Sequence, residues 1–213
     1  MTTDDILASR LRAARSIEVG LFLYPEVEVL DFAGPFEVFS VAARITPHPA
    51  GCEAPVFRVS TFARDPGPVR ARHGLMVTPS ASFAEAPVFD LLVVPGGVPT
   101  QPLNDPASLA HLAKASAAAT LTASVCTGAF LLARLGLLDG RRATTHWEDI
   151  PDLVAAHPEV TVVSDVVFVD EDAIVTSAGI SAGIEMSLHL VGRILGAEAA
   201  RRTARQMQYD WTP

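Results

Sequence analysis

Residues 120–140 read TLTASVCTGAFLLARLGLLDG, and a change of period inside that stretch decides the fold. Leu121–Val125 is a short run with little polar character. Such a run suits a parallel strand buried on both faces. From Thr127 to Leu138 the apolar residues recur at helical spacing. Strand gives way to helix at Cys126 with no loop between them. The segment "DLLVVPGG" (90–97) is a second buried strand, and it meets a Gly-Gly turn. "IEVGLFL" (17–23) and "VFRVSTFA" (56–63) read as further strands. Helical spacing predicts helices over 34–45, 106–119, 148–158 and 181–208. Pro35 suits the first turn of the first of these, and Gly196 a break in the last. "PVRARHGLMVTP" (68–79) reads as a hairpin turning at His73-Gly74, and "RRATTHW" (141–147) as a short strand. Residues 160–179 read as strands broken by turns at Ser164-Asp165 and Glu171-Asp172. Strands alternating with helices imply a doubly wound, mostly parallel sheet with helices on both faces, flavodoxin-like, with a small β-hairpin addition.

The chain of 213 residues, 49% of them hydrophobic, is enough for a single domain with a sizeable core. The only candidate boundary follows residue 16, giving an N-terminal extension (1–16) and one domain (17–213). The extension reads as a short helix capped by Thr3, with Leu7 and Leu11 on its apolar side. A net charge of −8 and the absence of a basic run argue against a nucleic-acid partner. The acidic start "MTTDDILASRLRAARS" lacks the apolar core of a signal peptide, and no apolar run reaches membrane-spanning length. A cytoplasmic protein with reduced thiols is expected. Two cysteines, Cys52 and Cys126, make no disulfide framework, and no Cys/His cluster shows metal-ligand spacing.

In sheets of this kind, sites form beyond the carboxyl ends of the strands. Cys126 occupies such an end, at the start of a helix, where the unpaired N–H groups and the dipole favour a thiolate. The junction also resembles the strand–nucleophile–helix elbow of hydrolases. The alternative is a buried, inert cysteine. Gly96-Gly97 is a plain turn on its own; beside a nucleophile, its N–H groups and that of Thr127 could hold a developing anion. Among Glu26, Glu28, Asp31 and Glu37, Asp31 is best placed to turn inward, because Leu30 and Phe32 flank it. An inward acid near a thiol can move protons. His146, in "TTHW", could deprotonate Cys126 or could simply be a packed histidine. The remaining histidines read as loop or helix-surface residues, and Cys52 as inert.

Four segments carry a family resemblance: "LDFAGPFEVF" (30–39), "LLVVPGG" (91–97), "SVCTGAFLLARLGLLDGRRATTHW" (124–147) and "TSAGISAGIEMSLHLV" (176–191). In this order and spacing the chain resembles the ThiJ/PfpI family of the class I glutamine amidotransferase-like superfamily. It is similar both to the isonitrile hydratases and to the sensor half of AraC-type regulators. The ending "MQYDWTP" resembles the closing tail of the stand-alone enzymes. The resemblance implies Cys126 as nucleophile, Asp31 as partner acid, and Thr127 assisting. It places the anion donors on the backbone of Gly97 and Thr127, with His146 as a possible accessory. Glu185 departs from the pattern, where relatives usually carry aspartate. The implied activity is hydration of isonitriles to N-substituted formamides, with a small-molecule substrate, no metal or organic cofactor, and a homodimer. The rival implications are a thiol enzyme acting on small 2-oxoaldehydes and a non-catalytic ligand or oxidation sensor. Phe32, Val98 and Trp147 would suit a hydrophobic substrate, whereas Phe36 reads as core.

Overall fold

The computed structural model describes residues 2–212. The chain begins with α1 (Thr3–Arg12), β1 (Ile17–Leu23), α2 (Val29–Ile45) and β2 (Phe57–Ala63). A hairpin of β3 (Val69–Arg70) and β4 (Met76–Val77) follows, then β5 (Ala81–Ser82), β6 (Leu91–Val94), α3 (Thr100–Leu103) and α4 (Pro106–Ala118). Next come β7 (Leu121–Val125), α5 (Gly128–Arg134), β8 (Arg142–Ala143), α6 (Ile150–Ala156) and β9 (Thr161–Val162). The chain closes with β10 (Phe168–Glu171), β11 (Ile174–Ser177), α7 (Ala182–Leu195) and α8 (Ala197–Gln206).

The main sheet runs in the order β10-β11-β7-β6-β1-β2-β5. Every pairing in it is parallel except β10 with β11. All residues of β6, β7 and β11 are buried, as expected for central parallel strands. Helices cover both faces: the Thr122 hydroxyl of β7 bonds Ser116 of α4 at 2.9 Å, while Val125 packs on Gly183 of α7. The expected flavodoxin-like architecture is therefore present. The chain moves from β1 outward to β2, then returns to place β6 on the other side of β1. That reversal opens a crevice beyond the carboxyl ends of β1 and β6, where such folds bind ligands.

Three local expectations change. First, α2 starts at Val29 rather than Gly34. Glu28 caps it, its carboxylate accepting from Val29 N at 3.2 Å, and the Glu28 N–H is fixed to Gly96 O at 2.9 Å. Pro35 thus lies inside the helix, where it deprives the Asp31 carbonyl of its amide partner. Second, α5 ends at Arg134, with turns to Gly140, instead of reaching Leu138. Third, Thr2 and not Thr3 caps α1, through a reciprocal pair with Asp5: Asp5 N donates to Thr2 Oγ1 at 3.2 Å, and Thr2 N to Asp5 Oδ2 at 3.0 Å. The hairpin turn at His73-Gly74 and the break at Gly196 fall as expected, with all three residues at positive φ.

Helix α1 is bound to the domain by apolar and ionic contacts. Leu7 and Leu11 join the core. Arg10 pairs with the buried Asp90 at 2.7 Å, and Arg193 of α7 reaches Asp4 at 2.7 Å. Leu7 has no exposed surface. Leu7→Ala is therefore expected to lower the unfolding free energy by about 2–5 kcal/mol in urea titrations. A loss under about 0.5 kcal/mol, the range of ordinary surface changes, would mean that α1 is undocked in solution.

Candidate active site

The crevice is built around one strained residue. Cys126 has φ 57°, the left-handed region, which non-glycine residues rarely adopt. Hydrogen bonds on both sides of the residue hold it there. Its N–H donates to Ser177 O at 3.1 Å and, more weakly, to Ala178 O at 3.3 Å. Its carbonyl accepts from the Thr145 hydroxyl at 2.9 Å. Gly96 leaves the space that this turn needs. A Cβ there would stand 2.6 Å from Thr127 N and 2.8 Å from Cys126 Cβ. The arrangement is a sharp strand-to-helix elbow with the thiol at its tip.

Asp31 comes from the first turn of α2 and has no exposed surface. Its Oδ2 accepts from Gly96 N at 3.0 Å, and the Cys126 thiol is a direct neighbour of the carboxyl. Burial raises the Asp31 carboxyl to about 7, against the Gly96 N–H, which stabilises the ionised form. The same burial, followed by the charge of Asp31, pushes the Cys126 thiol up to about 12, against the Thr127 N–H. The expectation that the helix start favours a thiolate is thus corrected. Cys126 is 6% exposed, and a seven-residue helix does not outweigh a buried carboxylate beside the sulfur. The resting state at neutral pH is a thiol next to an acid that titrates near 7.

The loop after β6 is latched to the elbow. Thr127 Oγ1 donates to Gly97 O and accepts from Gly97 N, both at 2.9 Å. The hydroxyl of Tyr24 donates to Pro95 O at 3.2 Å. The Gly97 N–H is therefore engaged and not a free donor for an anion, because the Thr127 hydroxyl takes it. The Thr127 hydroxyl likewise gives its proton to the loop. The Thr127 N–H is the donor that faces the sulfur.

Above Cys126 lies an open cleft of about 470 Å³. Cys126, Thr127, Gly97, Val98 and His146 line it together. His146 turns its Nδ1 towards Asp149 Oδ2 (3.4 Å), and its ring lies against Gly179. Asp31, by contrast, acts directly on the thiol and lowers its acidity. Phe32 is buried, and Phe36 packs on the core. Trp147 is 74% exposed and lines a neighbouring cavity, so of the apolar candidates only Val98 borders the cleft. Glu185 lies in that neighbouring cavity and accepts from the Tyr209 hydroxyl at 3.2 Å. Of the other histidines, His48 is buried, whereas His189 stays partly exposed on α7. His48 is 6% exposed, and His189 bonds Asp170 at 2.7 Å. Cys52 is partly exposed and unpaired, away from the cleft.

Sequence reasoning weighed Glu28 and preferred Asp31, and it missed four charged lining groups: Arg72, Glu148, Asp149 and Asp152. Arg72 arrives on the β3–β4 hairpin and pairs with Glu28 at 3.1 Å. Asp149 and Asp152 come from the turn into α6. "WEDIPD" reads as an acidic helix start, with no local sign that it faces a cysteine more than twenty residues away. Among the described residues, no helix is long and apolar enough to cross a membrane.

The chain is similar to isonitrile hydratase from Pseudomonas putida, 33% identical over 201 residues that span 93% of this chain and 81% of that protein. It is also similar to the HTH-type transcriptional regulator GbdR from Pseudomonas aeruginosa, 30% identical over 90% of this chain but only 50% of the regulator. Among solved structures, a THiJ/PfpI family protein from Pseudomonas syringae superposes with a TM-score of 0.80 and 26% identity, covering 93% of this chain and 77% of that one. The DJ-1/PfpI family model matches residues 18–193. With the elbow, the sheet order and these matches in agreement, the chain belongs to the DJ-1/PfpI family.

Proposed function

We propose that this protein is a cysteine-dependent enzyme that hydrates isonitriles to N-substituted formamides. The observation that carries the chemistry is the buried Asp31 carboxyl against the Cys126 thiol at the strand crevice. The choice of substrate rests on the similarity to isonitrile hydratase across most of both chains.

An isonitrile carbon accepts a nucleophile and then a proton. Ionised Asp31 takes the thiol proton as the sulfur–carbon bond forms, and returns it to that same carbon. The product of this step is a thioimidate, R–N=CH–S–Cys126. Asp31 next removes a proton from water as the oxygen adds to the carbon, and the nitrogen takes up a proton. The carbon–sulfur bond then breaks, the sulfur is reprotonated, and R–NH–CHO leaves, so one water has been added overall. A carboxyl near 7 can both give and take protons at working pH. The Thr127 N–H supports negative charge on the sulfur, while its hydroxyl keeps Gly97 and the loop in register. His146 is accessory: it orders the acidic wall and does not carry the proton. Neither a metal nor an organic cofactor enters this reaction. A cytoplasmic homodimer completes the reading, and light scattering on the purified protein tests the dimer.

The substrate assignment is tested by incubating the purified protein with an alkyl isonitrile and, separately, with methylglyoxal. Formamide from the first and no lactate from the second is expected. Lactate alone would replace this reading with a 2-oxoaldehyde enzyme. No product, with saturable isonitrile binding, would favour the ligand sensor suggested by the regulator matches. His146→Ala is expected to lower kcat by less than about tenfold, below the usual contribution of a general acid–base residue. A loss of about a hundredfold or more would move proton transfer to His146.

A further inference from the structure

The cleft over Cys126 carries more negative charge than the proposed chemistry uses. Glu28, Glu148, Asp149 and Asp152 all line it. Among the described residues, the only permanent cation on its walls is Arg72, and that guanidinium is tied to Glu28. The other three carboxylates share one wall, the turn into α6. His146 Nδ1 lies 3.4 Å from Asp149 and 3.9 Å from Glu148 and accepts from the Glu148 N–H at 3.4 Å, so the ring offsets these charges only when protonated. Asp149 is the most sheltered of the pairable acids there, with its side chain 34% exposed against 65% for Glu148. Its charge reaches the reacting atom, since it helps to raise the Cys126 thiol. Asp31, beside the thiol, does not itself line the cleft; it is fully buried, and its Oδ1 has no hydrogen-bond partner among the described residues.

We infer that this wall makes the site select its substrates by charge: cationic or uncharged isonitriles enter, and those bearing a carboxylate or sulfonate are turned away, with Asp149 and Asp152 as the specificity-determining side chains. The substrate class rests on the isonitrile reading; the charge selection rests on the cleft alone. An anion entering beside like charges loses hydration and gains repulsion, whereas a cation replaces the missing counter-charge. The effect belongs to a wall partly open to water, so salt weakens it.

The test separates the two claims. In Cys52→Ser protein, Cys126 is the remaining thiol. It is modified with three methanethiosulfonates, bearing a trimethylammonium, a methyl or a sulfonate group, and each rate is divided by that of a free small thiol. The cationic reagent is expected to exceed the anionic one by at least about tenfold, corresponding to about 1.4 kcal/mol. The ratio falls towards unity in Asp149→Asn/Asp152→Asn protein and in high salt. In parallel, a neutral alkyl isonitrile is expected to show a kcat/KM at least about tenfold above that of isocyanoacetate, a comparable discrimination. A wild-type reagent ratio near unity overturns the inference, as does equal turnover of the two isonitriles. If neither isonitrile reacts while the reagent ratio holds, the isonitrile reading falls and the charge selection stands.

Discussion

Asp31→Asn is expected to yield a protein that resists urea better than wild type at pH 8 and hydrates isonitriles at least about a thousandfold more slowly. The loss of rate follows from the proton path. An amide neither takes the thiol proton nor activates water. The gain in stability follows from burial. In the unfolded chain an ordinary aspartate has lost its proton by about pH 5. In the folded protein burial keeps the proton on Asp31 up to about 7. Folding therefore takes up a proton between these limits, and wild-type stability falls as pH rises through that window. Between about pH 5 and pH 8 the Asp31 contribution amounts to roughly 2–3 kcal/mol. Asparagine carries no charge at any of these pH values, and its oxygen can still accept from Gly96 N. The difference in stability between variant and wild type is thus expected to widen from pH 5 to pH 8, as read by urea unfolding at both values. The kcat/KM of wild type rises over the same interval, because the ionised carboxylate is the base. A variant with an unchanged pH slope would show that Asp31 is not the buried acid, and an active variant would show that it is not the base.

The sheet was legible because β6 and β7 consist of short runs that only a strand covered on both faces can use. The elbow was legible because strand and helix meet at Cys126 with nothing between them. Asp31 was legible as an inward acid from its apolar neighbours. What local pattern could not show was set by distant partners. Pro35 suggested a helix start, but the helix starts at Val29, after the Glu28 cap whose N–H is pinned to the Gly96 carbonyl. The helix dipole suggested an acidic thiol, yet Asp31, ninety-five positions away in the chain, reverses that. The Gly97 N–H looked free, and only the fold brings the Thr127 hydroxyl onto it. Arg72 and the Asp149–Asp152 wall gave no local signal at all, since a hairpin and a turn deliver them from opposite sides.

Cys126→Ala carries the largest expected effect. The alanine keeps the Cβ and the elbow, where its backbone is still held by Ser177 O and the Thr145 hydroxyl. Loss of function would therefore report the missing sulfur and not a collapsed site. Without sulfur no thioimidate forms, and water must attack the isonitrile unaided. The reduction in kcat/KM is expected to reach about ten-thousandfold or more, about 5.5 kcal/mol of transition-state stabilisation. The decisive measurement is the initial rate of formamide release from an alkyl isonitrile by wild type and by Cys126→Ala at pH 8, with equal folded protein verified by circular dichroism. Formamide from wild type and a background rate from the variant is the predicted result; turnover by the variant within about tenfold of wild type, too small a loss for a missing nucleophile, would contradict it.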